Sequence, residues 1–174
     1  MAERVGMLEL TTTVERVADG DTLIVPWDDE AVNQIEWKFR RRLGRDRDQG
    51  LAIRLFGVDA PEMGQEPWGQ QVKDRLEVLI APYDQVTLQV RDLDSYSRPV
   101  AEVFVEGFSV NVQLLAEGCC VAFFQWLRGT DRWNDFARAH DSAKRKKRGV
   151  WGAEDFISPG EWRQQQRDAG NDSR

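Results

Sequence analysis

Two hydrophobic periods alternate along this chain. Residues Met7–Val17, Thr22–Val25, Leu51–Val58, Gln85–Arg91, Val100–Val105 and Cys119–Phe124 form alternating or continuous apolar runs. Turn signals such as ADGD at 18–21 and the Glu106-Gly107 step punctuate them, which is the pattern of strands. Elsewhere the spacing changes to three and four. Trp68, Val72, Leu76 and Leu79 or Ile80 share one helical face, and Val110–Glu117 reads as a second helix closed by Gly118. A third runs from about Arg132 to Arg148, burying Trp133, Phe136, Ala137 and His140, and Gly149 ends it. A shorter helix is expected near Pro159–Arg167. Residues 26–50 read as an extended hairpin: Pro26 and Trp27 close a strand, Asp28-Asp29-Glu30 follows, and Ile35–Arg42 resumes a β-like run. Strands first, then helices among and after them, predict an α+β domain, mainly a small β-barrel with helices at one side.

Length and composition narrow the function classes. At 174 residues the chain suits a single domain, since about 150 residues bury about 70% of their unfolded surface. Apolar content of 41% and seven tryptophans indicate a packed globule, and no apolar run approaches the roughly 20 residues that span a bilayer. The start MAERVGMLELTTT lacks a basic segment followed by an apolar one, so a cytoplasmic monomer is the expectation. Adjacent Cys119 and Cys120 read as buried thiols. The single histidine, His140, lies on an apolar helix stripe and reads as packing, which leaves little for chemistry that needs a histidine pair or a Ser-His-Asp set. The net charge of −6 conceals segregation. Lys38, Arg40, Arg41, Arg42, Arg45 and Arg47 cluster against only Asp46 and Asp48, and Lys144 to Arg148 are consecutive cations; each block is either a solvated face or a phosphate-binding patch.

Candidate chemistry lies in three stretches. RLFGVDAPE at 54–62 is an apolar strand stopped by Pro61, with Asp59 and Glu62 at its end; alone, a polar turn would account for it. ADGDT occupies 18–22 and DSYSRPVAEVFV occupies 94–105. In order, spacing and flanking elements, from about Leu8 to Trp151, the trio resembles the staphylococcal nuclease-like (thermonuclease) family. The resemblance implies an oligonucleotide-binding (OB) fold, a five-stranded barrel with about three helices. It also implies calcium-dependent hydrolysis of DNA and RNA, single-stranded or locally opened, leaving 3′-phosphate ends.

By family position Asp21 and Asp59 are the calcium carboxylates and Ala60 lends its carbonyl where relatives often have threonine. Calcium accepts irregular oxygen cages at about 2.3–2.6 Å, so two carboxylates, a carbonyl, water and phosphate suffice. Asp19 either backs these ligands or only makes the turn. Glu62 resembles the general base, and Arg54 and Arg98 resemble the arginine pair that meets charge on the attacked phosphate, for which the guanidinium fork is suited. Tyr96 matches a tyrosine near the nucleotide, although Ser97 replaces the usual glycine. Phe123 and Gln125 replace a tyrosine pair; Phe123 keeps the capacity to stack on a base. Arg40, Arg41 and Arg42 would extend the substrate path from the hairpin, and Trp68 and Trp151 read as core aromatics. The competing class is a binding module on the same fold, as in Tudor-SN proteins, where catalytic residues have been lost. Asp21, Arg54, Asp59, Glu62 and Arg98 are all present here, which favours the nuclease.

Overall fold

A computed structural model describes residues 7–44 and 47–171. The chain runs from β1 (Leu8–Thr12) into β2 (Arg16–Asp19) and β3 (Thr22–Val25), passes through helix α1 (Asp29–Phe39), and returns as β4 (Leu51–Leu55) and β5 (Val58–Asp59). Helix α2 (Trp68–Ile80) leads to the long hairpin of β6 (Val86–Leu93) and β7 (Pro99–Val105), then β8 (Phe108–Ser109) and α3 (Val110–Ala116). The last elements are β9 (Val121–Ala122), α4 (Phe124–Leu127), α5 (Trp133–Arg145) and α6 (Pro159–Asn171).

The main sheet has the order β1-β6-β7-β4-β3-β2, with β8 added to β7, and β5 pairs separately with β9. Among the described residues only β4 and β7 run parallel. Among the described residues no ladder joins β1 to β2, so the sheet is open where a closed five-stranded barrel was expected, and six α-helices replace about three. Leu23, Ile53, Leu55, Leu88 and Val103 from the sheet meet Leu76 of α2, Leu114 and Leu115 of α3 and Phe136 of α5 in one buried cluster. The expected helix faces carry this packing, although Trp133 is exposed and α6 extends to Asn171. His140 packs edge-on against Phe124 and Trp151. Cys119 and Cys120 are free thiols, Cys120 fully buried. Trp68 and Trp151 both pack edge-to-face on Phe156.

Residues 26–50 correct the hairpin expectation. Asp28 caps a helix, accepting from the Ala31 amide at 2.7 Å, and Val32, Ile35 and Glu36 are buried on one side of α1. Arg40 ends the helix in the left-handed region at φ 51. The alternation of Ile35–Arg42 fits both periods; the Asp28 cap and the burial of Val32 with Ile35 decide for the helix. Three long strand assignments also shorten. Met7–Val17 divides into β1 and β2, Cys119–Phe124 contains only β9, and Leu51–Val58 breaks at Phe56-Gly57. Gly57 sits at φ +71, where an added Cβ would lie 2.6 Å from the Phe136 ring. Only glycine fits this turn. Asn111 fixes the same corner, its side-chain amide donating to Phe56 O at 2.8 Å while its carbonyl accepts from the Val103 amide at 2.9 Å.

Candidate active site

The Asp19-Gly20-Asp21 turn joins β2 to β3 and lies directly on the segment after β5. A Cβ on Gly20 would come within 2.8 Å of both Ala60 Cβ and Val72 Cγ1, so the close approach requires glycine. It places Asp21 where its Oδ2 accepts from the Ala60 amide at 2.9 Å, while Asp19 accepts from the Asp21 amide at 3.0 Å. The Leu55 amide donates to Asp21 O at 2.8 Å, which ties the turn to the end of β4.

Arg54 stands on β4 opposite Thr22 and points between the acids. Its Nη1 is 3.0 Å from Asp21 Oδ2 and its Nη2 is 3.6 Å from Asp59 Oδ1; all three side chains are only 11–13% exposed. The guanidinium lies 5.5 Å from the Trp126 ring, which in turn meets the Phe123 ring edge-to-face at 4.9 Å. Burial pushes the Asp21 carboxyl up to about 7; Arg54 and the Ala60 amide oppose the shift, and the charges of Asp19 and Asp59 add to it. Glu62 follows Pro61, its amide held by Gln65 Oε1 at 2.9 Å. The structure thus brings Asp21, Arg54 and Asp59 together, with Glu62 on the segment that follows Asp59.

Arg98 has a different partner. Its Nε donates to Asp94 Oδ2 at 2.7 Å, and among the described residues Asp94 is its ion-pair partner. The other Asp94 oxygen accepts from the Tyr96 and Arg98 amides, both at 2.9 Å. These bonds hold Ser97 at φ 62, the left-handed geometry for which glycine is the usual residue. Tyr96 is exposed, with Arg98 over its ring at 5.6 Å. Of the cationic cluster, Arg42 pairs with Glu36 at 2.7 Å and Arg41 donates to Ser95 O at 3.2 Å, tying α1 to the Tyr96 turn. Arg45 lies outside the described residues.

The sequence pattern missed Trp126 and, more consequentially, Arg163. From α6, Arg163 Nη2 donates to Asp59 Oδ2 at 2.9 Å, while Nη1 reaches both Asp59 Oδ1 at 3.1 Å and Glu62 Oε1 at 2.8 Å. The only local signal was the helix start: Ser158 and Glu161 form a reciprocal cap, the Glu161 amide donating to Ser158 Oγ at 3.2 Å and the Ser158 amide to Glu161 Oε2 at 2.9 Å.

Among the described residues no three His, Cys, Asp or Glu side chains converge as a closed metal cage. The donor set nevertheless fits a hard divalent cation completed by backbone, water and phosphate oxygens. Two buried carboxylates, Asp21 from the β2–β3 turn and Asp59 from β5, share one arginine, burial pushes the Asp21 carboxyl up to about 7, and a second arginine is drawn onto Asp59 and Glu62.

The staphylococcal nuclease homologue family matches residues 52–153. A rice protein named "Probable staphylococcal-like nuclease CAN3" (Oryza sativa subsp. japonica) is 32% identical over 121 residues, covering 70% of this chain and 30% of its own. Endonuclease YhcR of Bacillus subtilis is 28% identical over 158 residues, 83% of this chain and 12% of its own. An uncharacterized endonuclease of Haemophilus influenzae is 28% identical over 120 residues, 69% and 64%. The chain spans between 22% and 33% of the length of the rice relatives it matches. Among the described residues no helix is long and apolar enough to cross a membrane. With the family match covering more than half of the chain and the acids and Arg54 assembled at the strand ends, this protein belongs to the staphylococcal nuclease homologue family.

Proposed function

We propose that this protein is a calcium-dependent nuclease that hydrolyses phosphodiester bonds in DNA or RNA, acting on single-stranded or locally opened substrate. The observation that carries the reading is the convergence of Asp21 and Asp59 on Arg54, with Glu62 beside them. Carboxylates alone repel phosphate; carboxylates that bind a cation, beside an arginine, attract it.

Asp21, Asp59 and the carbonyl of Ala60 would hold the cation, which supplies positive charge to the attacked phosphate when bound. Glu62 accepts a proton from the attacking water as its oxygen bonds to phosphorus. Arg54 donates to the phosphoryl oxygens as their charge grows, within a site whose burial strengthens the interaction. The 5′ oxygen departs with a proton from solvent, leaving a 3′-phosphate and a 5′-hydroxyl. Arg98 bonds Asp94 through Nε alone, and its terminal nitrogens serve the same phosphate. Phe123, backed by Trp126, offers a stacking face worth about 1–3 kcal/mol per base. Tyr96, Arg40 and Arg41 continue the strand path. Arg42, paired with Glu36, contributes less than its neighbours.

Plasmid and single-stranded substrates digested with calcium, with magnesium and with chelator test this reading. Cleavage is expected with calcium, poorly with magnesium, which demands near-ideal octahedral geometry, and not with chelator; end-labelling should find 3′-phosphates. Cleavage undiminished by chelator would overturn it.

A further inference from the structure

Helix α6 lies beyond the family-matched segment yet reaches the centre of the site. Of its described side chains only Pro159, at its first position, is buried, so packing alone secures the rest of the helix weakly. Three attachments lead to Asp59 and the loop after it, which carries Glu62. The Trp162 ring lies over Gly64, 3.1 Å from where a Cβ would stand, and the Gln65 side-chain amide donates to Ile157 O at 3.3 Å just before the helix. Arg163 then spans both oxygens of Asp59 and one of Glu62. A bidentate guanidinium takes one lone pair on each oxygen of Asp59 and sets a full positive charge beside it, so a metal ion that approaches Asp59 meets a like charge and competes with the fork.

Building on the cation reading above, we propose that Arg163 is a positioning residue that competes with the divalent cation for Asp59 and Glu62. α6 is an internal counter-ion carrier, and cation binding expels its guanidinium from Asp59. The competition divides the intrinsic cation affinity by the fraction of molecules in which Asp59 is released. With charge-assisted bonds on a half-buried group, that factor is about tenfold to a hundredfold. The helix loses its strongest anchor in the same step, so its first turns open more often.

The test is calorimetric titration of the full chain with calcium chloride, without nucleic acid, for wild type, Arg163→Gln, Arg163→Lys and Asp59→Asn. Hydrogen exchange of α6 in the wild type is followed with and without calcium. Arg163→Gln is expected to bind calcium about tenfold or more tighter, Arg163→Lys to fall between it and wild type, and α6 amides to exchange faster with calcium. Calcium binding lost in Asp59→Asn but unchanged in Arg163→Gln, with unchanged α6 exchange, overturns the competition and leaves the cation site standing. Weaker binding in Arg163→Gln overturns it too, showing support of the site. No calcium binding in wild type or in Arg163→Gln overturns both.

Discussion

Asp21→Asn should make the metal-free protein more stable at pH 8 while leaving it unchanged at pH 4. Burial raises the folded-state carboxyl from an ordinary 3.8 to about 7, so between those values the native protein holds a proton that the unfolded chain has released. Stability therefore falls as pH rises through that window, and above it the full cost of the buried charge is present. A shift of about three units corresponds to a ceiling of about 4 kcal/mol. The side chain keeps 13% of its surface in solvent, which eases the cost, and a gain of about 2 kcal/mol is the expectation. Asparagine fits the same space: its Oδ1 can accept from the Ala60 amide and Arg54 as Asp21 Oδ2 does, and its Nδ2 can donate to Thr22 Oγ1, which now donates to Asp21 Oδ1 at 3.3 Å. Urea denaturation with chelator at both pH values measures the difference, and the same variant should lose calcium-dependent cleavage. Equal stability at pH 8, or a loss there, would show that the Arg54 ion pair outweighs desolvation.

Glu62→Gln should lower turnover by about 10²–10⁴ with substrate affinity little changed, and Arg54→Lys by about 10² or more, both read from single-turnover cleavage against binding titration; near-normal turnover in Glu62→Gln would remove it from the mechanism. Asn111→Ala should cost about 3 kcal/mol in urea denaturation, because it leaves the buried Val103 amide and Phe56 carbonyl without the partners that Asn111 supplies; a cost under about 1 kcal/mol would mean that water or a backbone shift replaces them.

What the sequence could disclose follows the distance over which its signals act. Asp21, Asp59 and Glu62 were singled out by the order and spacing of three motifs that resemble one family; alone, the D-G-D turn and the strand stopped by Pro61 read as polar turns. α1 was misread because Ile35, Trp37 and Phe39 alternate while Val32, Ile35 and Phe39 also fit a helix; Glu36, a charge that takes a buried place by bonding Arg42 and the Leu43 amide, disguised the inner face. Arg98 was legible as a residue but not in its alliance with Asp94, since Ser97 required a local clamp that a glycine would not. Arg163 was out of reach altogether. It lies in a polar helix with no apolar stripe, and its partners Asp59 and Glu62 are 104 and 101 residues away. Residue type and local spacing reveal which groups can do chemistry; which charge neutralises them is settled by the topology that returns the chain's end to its motif strand.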